Sequence, residues 1–344
     1  MGGVVLVTGV GRELGRRFAR RISADPAVDR VVGVDVVPPL QDLGSVGFAR
    51  ADIRSPVIAE VIAAENVDTV VHLNVIATPR GAGGRTSMKE TNVIGTMQLL
   101  AACQKSPRVR RLIVKSSAGV YGSSAKDPAI FREDMAPRRM PGSGFGKDSV
   151  EVEGYVRGFA RRRPDVSVTM LRCANLIGPR IETTLTRYFS LPVIPTVLGF
   201  DARLQFCHEE DALAALHRST LAGIPGTFNV AGDGVVMLSQ AVRRLGRLSV
   251  PVPAFALGNL GSFIPQARHA DLTAEQASFL THGRCVDTTL MREVLGFEPS
   301  ATTASAFEDF VRRLRPGALD PQRLAGLERQ VSSLIQKVVP RGGR

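Results

Sequence analysis

The sequence predicts an α/β protein, a doubly wound parallel sheet with a smaller lobe towards the carboxyl end. Three observations carry this prediction. Residues 4–8 form an apolar, β-branched run that passes at once into Gly9-Val10-Gly11-Arg12-Glu13-Leu14-Gly15 and a helix-like stretch over 16–22. A second run, 31–35, ends in Asp35, twenty residues after Gly15. Beyond it, short apolar runs alternate with longer stretches of helical spacing, the pattern of strand–helix–strand units.

The first two observations also predict chemistry. A strand, glycine turn and helix in that order let the backbone approach a diphosphate held on the free N–H groups and positive dipole end of the helix. A carboxylate ending the second strand is placed to accept the two hydroxyls of an adenosine ribose. Glycine-rich turns also serve plain connections, so the weight rests on the ordered set of strand, glycines, helix, strand and acid. Gly9, Gly11, Arg12, Glu13, Leu14, Gly15 and Asp35 are therefore candidate cofactor residues. No arginine directly follows Asp35 to hold a 2′-phosphate, which favours NAD over NADP. In a Gly-x-x-Gly-x-x-Gly register the middle glycine falls on Arg12. That residue either adds a cation beside the diphosphate or intrudes on it, and the sequence leaves both open.

The remaining elements follow in order. Residues 46–53 read as a third strand whose end, Asp52-Ile53, sets an acid and an apolar side chain against an adenine ring. A fourth strand, 69–73, leads to Asn74 and a glycine-rich loop over 78–85. His72, inside that apolar strand, reads as a satisfied core histidine. Apolar positions recur at helical spacing from Ser87 to Gln104 around Asn92. A fifth strand, 111–115, runs into Ser116-Ser117-Ala118-Gly119-Val120-Tyr121-Gly122, at the carboxyl end of the sheet where such folds place their sites. After a loop over 127–144, a helix is expected from Phe145 to Arg163 and a sixth strand from Val166 to Cys173. Three units result: 1–175, dinucleotide-binding; 176–315, a substrate lobe with segments at 205–211 and 227–230 returning to the main sheet; and 316–344, a helical tail whose apolar stripe spans 321–338.

Bulk properties narrow the function classes. The 344 residues are 44% hydrophobic and 22% charged, a soluble globular composition. The four cysteines show no Cys-x-x-Cys spacing and no neighbouring histidine cluster, so they read as buried free thiols, with no metal site. No signal peptide precedes the first strand and no apolar run is long enough to span a bilayer, which predicts a cytoplasmic protein without a transmembrane segment. The most lipid-like stretch, 250–265, holds three prolines and two glycines and reads as a buried turn. Net charge is +12, but the arginines fall in small scattered groups with no interleaved aromatics, so a solvated basic surface is favoured over a nucleic-acid platform.

Taken together, these landmarks resemble the extended short-chain dehydrogenase/reductases, whose core is a Rossmann sheet, and among them the sugar-nucleotide epimerases and dehydratases. The likeness rests on Thr8-Gly9…Gly15, Asp35, Asp52-Ile53, His72-Leu73-Asn74, Asn92 with Gly95-Thr96, the Ser116–Gly122 run, Asn175 with Gly178-Pro179, Phe206-x-His208, and Asp287 with Leu295-Gly296-Phe297. The overall pattern is similar to that of UDP-glucose 4-epimerases. The resemblance implies NAD as cofactor, a nucleotide sugar as substrate and a homodimer. It adds Asp52, Ile53, Leu73, Asn74, Asn92 and Ser149 to the cofactor residues, Ser117 as a catalytic and substrate residue, and Asn175 and Arg203 as substrate residues.

The family's chemistry also needs Tyr-x-x-x-Lys at the start of the helix after the serine run. Those two positions hold Phe145 and Ser149. Phenylalanine has no exchangeable proton, and loss of one general acid/base typically costs about 10² to 10⁴ in rate. The residues four places after Tyr121, Tyr155 and Tyr188 are Ala125, Phe159 and Pro192, so no shifted pair exists. Lys147 lies roughly 200° around the helix from Phe145. Two readings remain open: an enzyme of the epimerase/dehydratase type, and a non-catalytic NAD(H)-binding sensor or scaffold.

Overall fold

The computed structural model describes residues 3–74, 76–77, 83–137, 140–141, 144–254 and 273–314. In chain order it runs β1 (Gly3–Thr8), α1 (Glu13–Ser23), β2 (Val28–Asp35), β3 (Gly47–Arg50), α2 (Val57–Ala64), β4 (Thr69–His72), α3 (Arg85–Lys89), a π-helical turn (Glu90–Ile94), α4 (Gly95–Lys105) and β5 (Arg111–Ser117). After a short 3-10 turn come α5 (Gly144–Arg162), β6 (Ser167–Cys173), β7 (Asn175–Ile177), α6 (Thr184–Phe189), β8 (Val193–Val197), β9 (Arg203–Leu204), β10 (Phe206–His208), α7 (Glu209–Ala222) and β11 (Gly226–Val230). The second lobe adds β12 (Val236–Met237), α8 (Leu238–Arg244), β13 (Leu248–Val252), α9 (Ala274–His282), α10 (Thr289–Glu293) and α11 (Thr303–Arg313).

Seven strands form one parallel sheet in the order β3-β2-β1-β4-β5-β6-β11. Its inner strands are apolar on both faces because both faces are covered. Phe18, Ile22, Leu213 and Leu216 of α1 and α7 close one side. Ile58, Ile62, Leu99, Val152, Val156 and Phe159 of α2, α4 and α5 close the other. Truncating a fully buried ring such as Phe159 to alanine would cost about 3–5 kcal/mol. A separate aromatic cluster of Tyr188, Phe189, Phe206, Phe307 and Phe310 holds the second lobe. Strand order reverses between β1 and β4, and the carboxyl ends of the strands open a crevice there.

Several elements differ from expectation. The third strand stops at Arg50, because the Asp52 carboxylate accepts the Arg54 N–H at 2.9 Å and turns the chain. The helix expected over 87–104 is a composite of 85–105 with a π turn, where Asn92 is drawn inward and the Thr96 hydroxyl donates to the Asn92 carbonyl at 2.5 Å. Of the two segments expected to rejoin the main sheet, 226–230 does so beside β6, whereas Phe206–His208 pairs with β7 in a sheet of its own. The tail stripe over 321–338 lies outside the described residues, as do most of 250–265 and part of 78–85. Among the described residues no helix is long and apolar enough to cross a membrane.

Candidate cofactor and substrate site

The glycine turn is built for close approach. Gly9 has φ +82°, a region that favours glycine, and a side chain there would meet the backbone of Asn74 at 3.0 Å. A methyl on Gly15 would lie 2.7 Å from the Gly9 carbonyl carbon. Only hydrogen at that position lets α1 start directly against the turn. The residue before α1, Arg12, is extended and its side chain does not cap the helix, so its first-turn N–H groups have no N-cap side chain on them. Among the candidate residues on that turn, Glu13 pairs with Arg16 at 2.6 Å and Leu14 packs on the core.

Asp35 stands opposite this turn. Its Oδ2 accepts the Gly11 N–H at 2.9 Å and its Oδ1 accepts the Val36 N–H at 2.8 Å. Each oxygen retains a free lone pair, the capacity that a ribose diol needs. Arg12 is half-buried within electrostatic reach of Asp35; burial lowers the guanidinium from its ordinary value and the Asp35 charge opposes that shift.

Beneath the crevice a chain of hydrogen bonds locks β1, β4 and α4 together. The N–H groups of Leu73 and Asn74 donate to Thr8 Oγ1 at 3.2 and 3.3 Å, which leaves the Thr8 hydroxyl to donate to His72 Nδ1 at 2.8 Å. His72 Nε2–H then donates to Thr96 Oγ1 at 2.9 Å. Burial pushes His72 down to about 4, so it is neutral at physiological pH. The expected core histidine is what the structure holds.

Three expected cofactor residues also have partners within the chain. Ile53 is buried among α2 and α4 side chains, and a side chain on Gly95 would meet its Cδ1 at 2.7 Å, so it packs into the core on that side. The Asp52 carboxylate is held by the Arg54 guanidinium at 2.7 to 3.0 Å, a bond that lowers it below the ordinary carboxylate range. Asn92 is fully buried, exchanges both amide functions with the Ile76 backbone at 2.7 and 2.8 Å, and donates to Asp148 at 3.3 Å. Its work is to hold the segment after β4.

At the end of β5, Ser117 is half-buried and its Oγ accepts the Gly119 N–H at 3.0 Å, which leaves its hydroxyl proton free to donate outward. Phe145 lies in the first turn of α5. Ser149 is buried and gives its hydroxyl to the Phe145 carbonyl at 2.9 Å. Lys147 is exposed.

None of the three tyrosines reaches this place. Tyr121 donates to Asn229 Oδ1 and accepts from Arg172, both at 2.8 Å, and burial raises it above its ordinary value. Tyr188 donates to the Pro195 carbonyl at 2.7 Å inside the second lobe, and Tyr155 is exposed on α5. Arg172 itself forms a buried two-pronged bond to Glu153, at 2.9 and 2.7 Å, which ties β6 to α5.

Two groups that sequence reading did not single out complete the site. Glu275, in the first turn of α9, accepts the Gly146 N–H on both carboxylate oxygens at 3.1 Å. Arg284 is half-buried, donates to the Gly122 carbonyl at 2.8 Å and lies 5.2 Å over the Phe279 ring. Burial lowers Arg284 to about 10, so it remains a cation at neutral pH. The Thr273-Ala-Glu-Gln helix start placed Glu275 in a first turn, but nothing local tied that turn to α5.

Arg284 and Arg203 line a cavity of about 320 Å³ with Ser124, Asp127 and His282. That volume is in the small-ligand range of about 300–1,000 Å³. Asn175 is half-buried at the start of β7, and its side chain makes no hydrogen bond within the described residues. Some of the basic groups expected to be scattered converge. Arg16, Arg17, Arg20, Arg21, Arg180 and Arg313 line a cleft of about 660 Å³, where Arg17 is engaged by Glu209 and Glu210.

A parallel sheet with a glycine turn, a free helix start and an acid after the second strand defines a Rossmann dinucleotide-binding protein. The sequence profile of the NAD dependent epimerase/dehydratase family matches residues 5–231. An uncharacterized protein of Mycobacterium tuberculosis is 49% identical over 339 residues, covering 97% of this chain and 90% of that protein. The chain belongs to the NAD dependent epimerase/dehydratase family.

Solved structures agree on the fold. UDP-glucose 4-epimerase of Thermotoga maritima matches with a TM-score of 0.68 at 19% identity, over 90% of this chain and 98% of that one. UDP-glucuronic acid 4-epimerase of Bacillus cereus, in complex with UDP-glucuronic acid and NAD, matches at 0.70 and 18%, over the same shares.

Proposed function

We propose that this chain binds NAD at the carboxyl ends of β1 and β2 and acts on a nucleotide sugar, by alcohol–ketone chemistry of the UDP-hexose 4-epimerase type. The observation that carries the cofactor half is the pairing of Gly11 with Asp35 beside an uncapped α1, a cradle that side chains at Gly9 and Gly15 would fill. The diphosphate belongs on the α1 N–H groups, and the ribose diol on Asp35. Bound there, a nicotinamide supplies a reversible hydride acceptor.

The chain's own residues do the rest. Ser117 donates its free hydroxyl to the substrate oxygen. Arg203 and Arg284 present two cations to a sugar-nucleotide diphosphate in the 320 Å³ cavity, with Asn175 as a further polar contact. A second reading, a sensor that binds NAD(H) without turnover, is favoured by one feature: Phe145 and Ser149 offer no phenol and no ammonium at the start of α5. The exposed Ile94, Met97 and Tyr155 on the α3–α5 surface support a homodimer through those helices, which light scattering would test.

Calorimetric titration tests this reading. NAD should bind more tightly than NADP, and UDP-glucose or UDP-glucuronic acid should bind more tightly in its presence. A chain that prefers NADP, or that binds neither nucleotide sugar, would remove the proposal.

A further inference from the structure

The geometry points to Glu275 as the proton-transfer group of this site, the carboxylate that takes the substrate hydroxyl proton in place of the missing phenol. This rests on the nucleotide-sugar reading above.

Its position is the first argument. The Glu275 carboxylate stands at the start of α5, on the N–H of Gly146, one residue from Phe145. A side chain at Gly119 would lie 3.2 Å from Ser117 Oγ and 3.8 Å from Glu275 Oε1, so the serine and the carboxylate flank the same glycine. A side chain at Gly146 would lie 2.7 Å from Glu275 Oε1 and 2.9 Å from the Gly119 carbonyl, and one at Gly144 would collide with the same carboxyl. Glycines from two separate segments thus leave the room that this carboxyl occupies.

The second argument is electrostatic. Burial raises Glu275 above the ordinary carboxylate range, against the lowering effect of the Gly146 and Phe145 N–H groups and of Arg284. Asp148 adds to the rise, and Arg85 faces the same carboxyl from α3. A carboxylate that only capped α5 from solvent would be held down by the helix dipole. One shifted towards neutrality suits general acid/base work.

The step balances. The alcohol O–H bond breaks and its proton forms a bond to a Glu275 oxygen. The carbon–hydrogen pair leaves as hydride to the nicotinamide, which is the oxidant. A ketone and a neutral carboxylic acid result, and reduction of the ketone from the other face returns proton and hydride.

Four forms decide it: wild type, Glu275→Gln, Phe145→Tyr with Ser149→Lys, and all three changes together. Each is assayed on UDP-glucose and UDP-glucuronic acid with NAD. Carbon-13 NMR of glutamate-labelled wild type, assigned by the Glu275→Gln difference, follows the carboxyl through pH. The expected result is a loss of about 10² to 10⁴ in Glu275→Gln, recovery in the triple form, and a Glu275 titration raised above the ordinary carboxylate range that matches the acid limb of the wild-type rate. Recovery in the triple form also shows that the loss is not misfolding.

Unchanged turnover in Glu275→Gln, or titration of this carboxyl in the ordinary range near pH 4.3, overturns the assignment. An inactive wild type beside an active Tyr/Lys form overturns Glu275 alone. Inactivity of both removes the nucleotide-sugar reading, and Glu275 with it.

Discussion

Replacing Gly15 with alanine tests whether the glycine turn is the built feature that the site depends on. The new methyl would sit 2.7 Å from the Gly9 carbonyl carbon, where ordinary contact begins at 3.4 Å. The Gly9 carbonyl oxygen lies closer still, so turn and helix would have to part by more than the 0.7 Å that the carbon alone requires, and both clashing partners are backbone, so no side chain can yield in their place. Overpacking of this kind costs about 1–3 kcal/mol. The same parting shifts the α1 N–H groups away from a diphosphate, for an expected loss in NAD affinity of about tenfold or more. Gly154→Ala is the matched control. Gly154 is exposed on α5 with nothing within 4 Å of an added methyl, so helix propensity alone predicts a gain of about 0.5–1 kcal/mol. Urea unfolding and NADH fluorescence titration read both variants. Gly15→Ala with unchanged stability and affinity would refute the close-approach argument.

Other perturbations have equally definite outcomes. His72 is held at about 4 when folded, against 6.5 when free, so below pH 6.5 the unfolded chain takes up a proton that the folded chain refuses. Its contribution to stability is complete above pH 6.5 and is lost progressively down to about pH 4, by about 3 kcal/mol in all. Urea midpoints across that range should fall less steeply in His72→Gln, and equal slopes would contradict the neutral assignment. Arg172→Met strands the Glu153 carboxylate, whose side chain is 2% exposed, with Ser116 and the partly exposed Arg157 as its remaining partners. The expected cost is about 3 kcal/mol, and Arg172→Met with Glu153→Leu together should cost less than the single change; simple additivity would count against a buried pair.

How much of this was legible differs by region. Local sequence carried the cofactor half, because strand, turn, helix and acid are contiguous and each follows from short-range backbone and charge preferences. Gly9, Gly15 and Asp35 lie where their spacing put them, and His72 is the core histidine that its apolar strand implied. Single residues were harder. Ile53 and Asn92 matched a pattern, but their contacts within the chain, Ile53 against Gly95 and Asn92 on the Ile76 backbone beside a π turn, were not visible in it.

The substrate half was least legible, since its groups meet across long separations. Glu275 reaches Gly146 over 129 residues, and Arg284 reaches Gly122 over 162. No periodicity or spacing reports such meetings. Likewise β10 carries the family-like Phe206 and His208, but pairs with β7 outside the main sheet, a choice made by the packing of the second lobe.

The central claim is a built NAD site facing a nucleotide-sugar cavity, and mass spectrometry of small molecules released on denaturing freshly purified protein tests it most directly. The account predicts NAD, alone or beside a UDP-sugar. NADP in its place would contradict the Asp35 argument, and a released ligand that is neither dinucleotide nor nucleotide sugar would contradict the site as a whole.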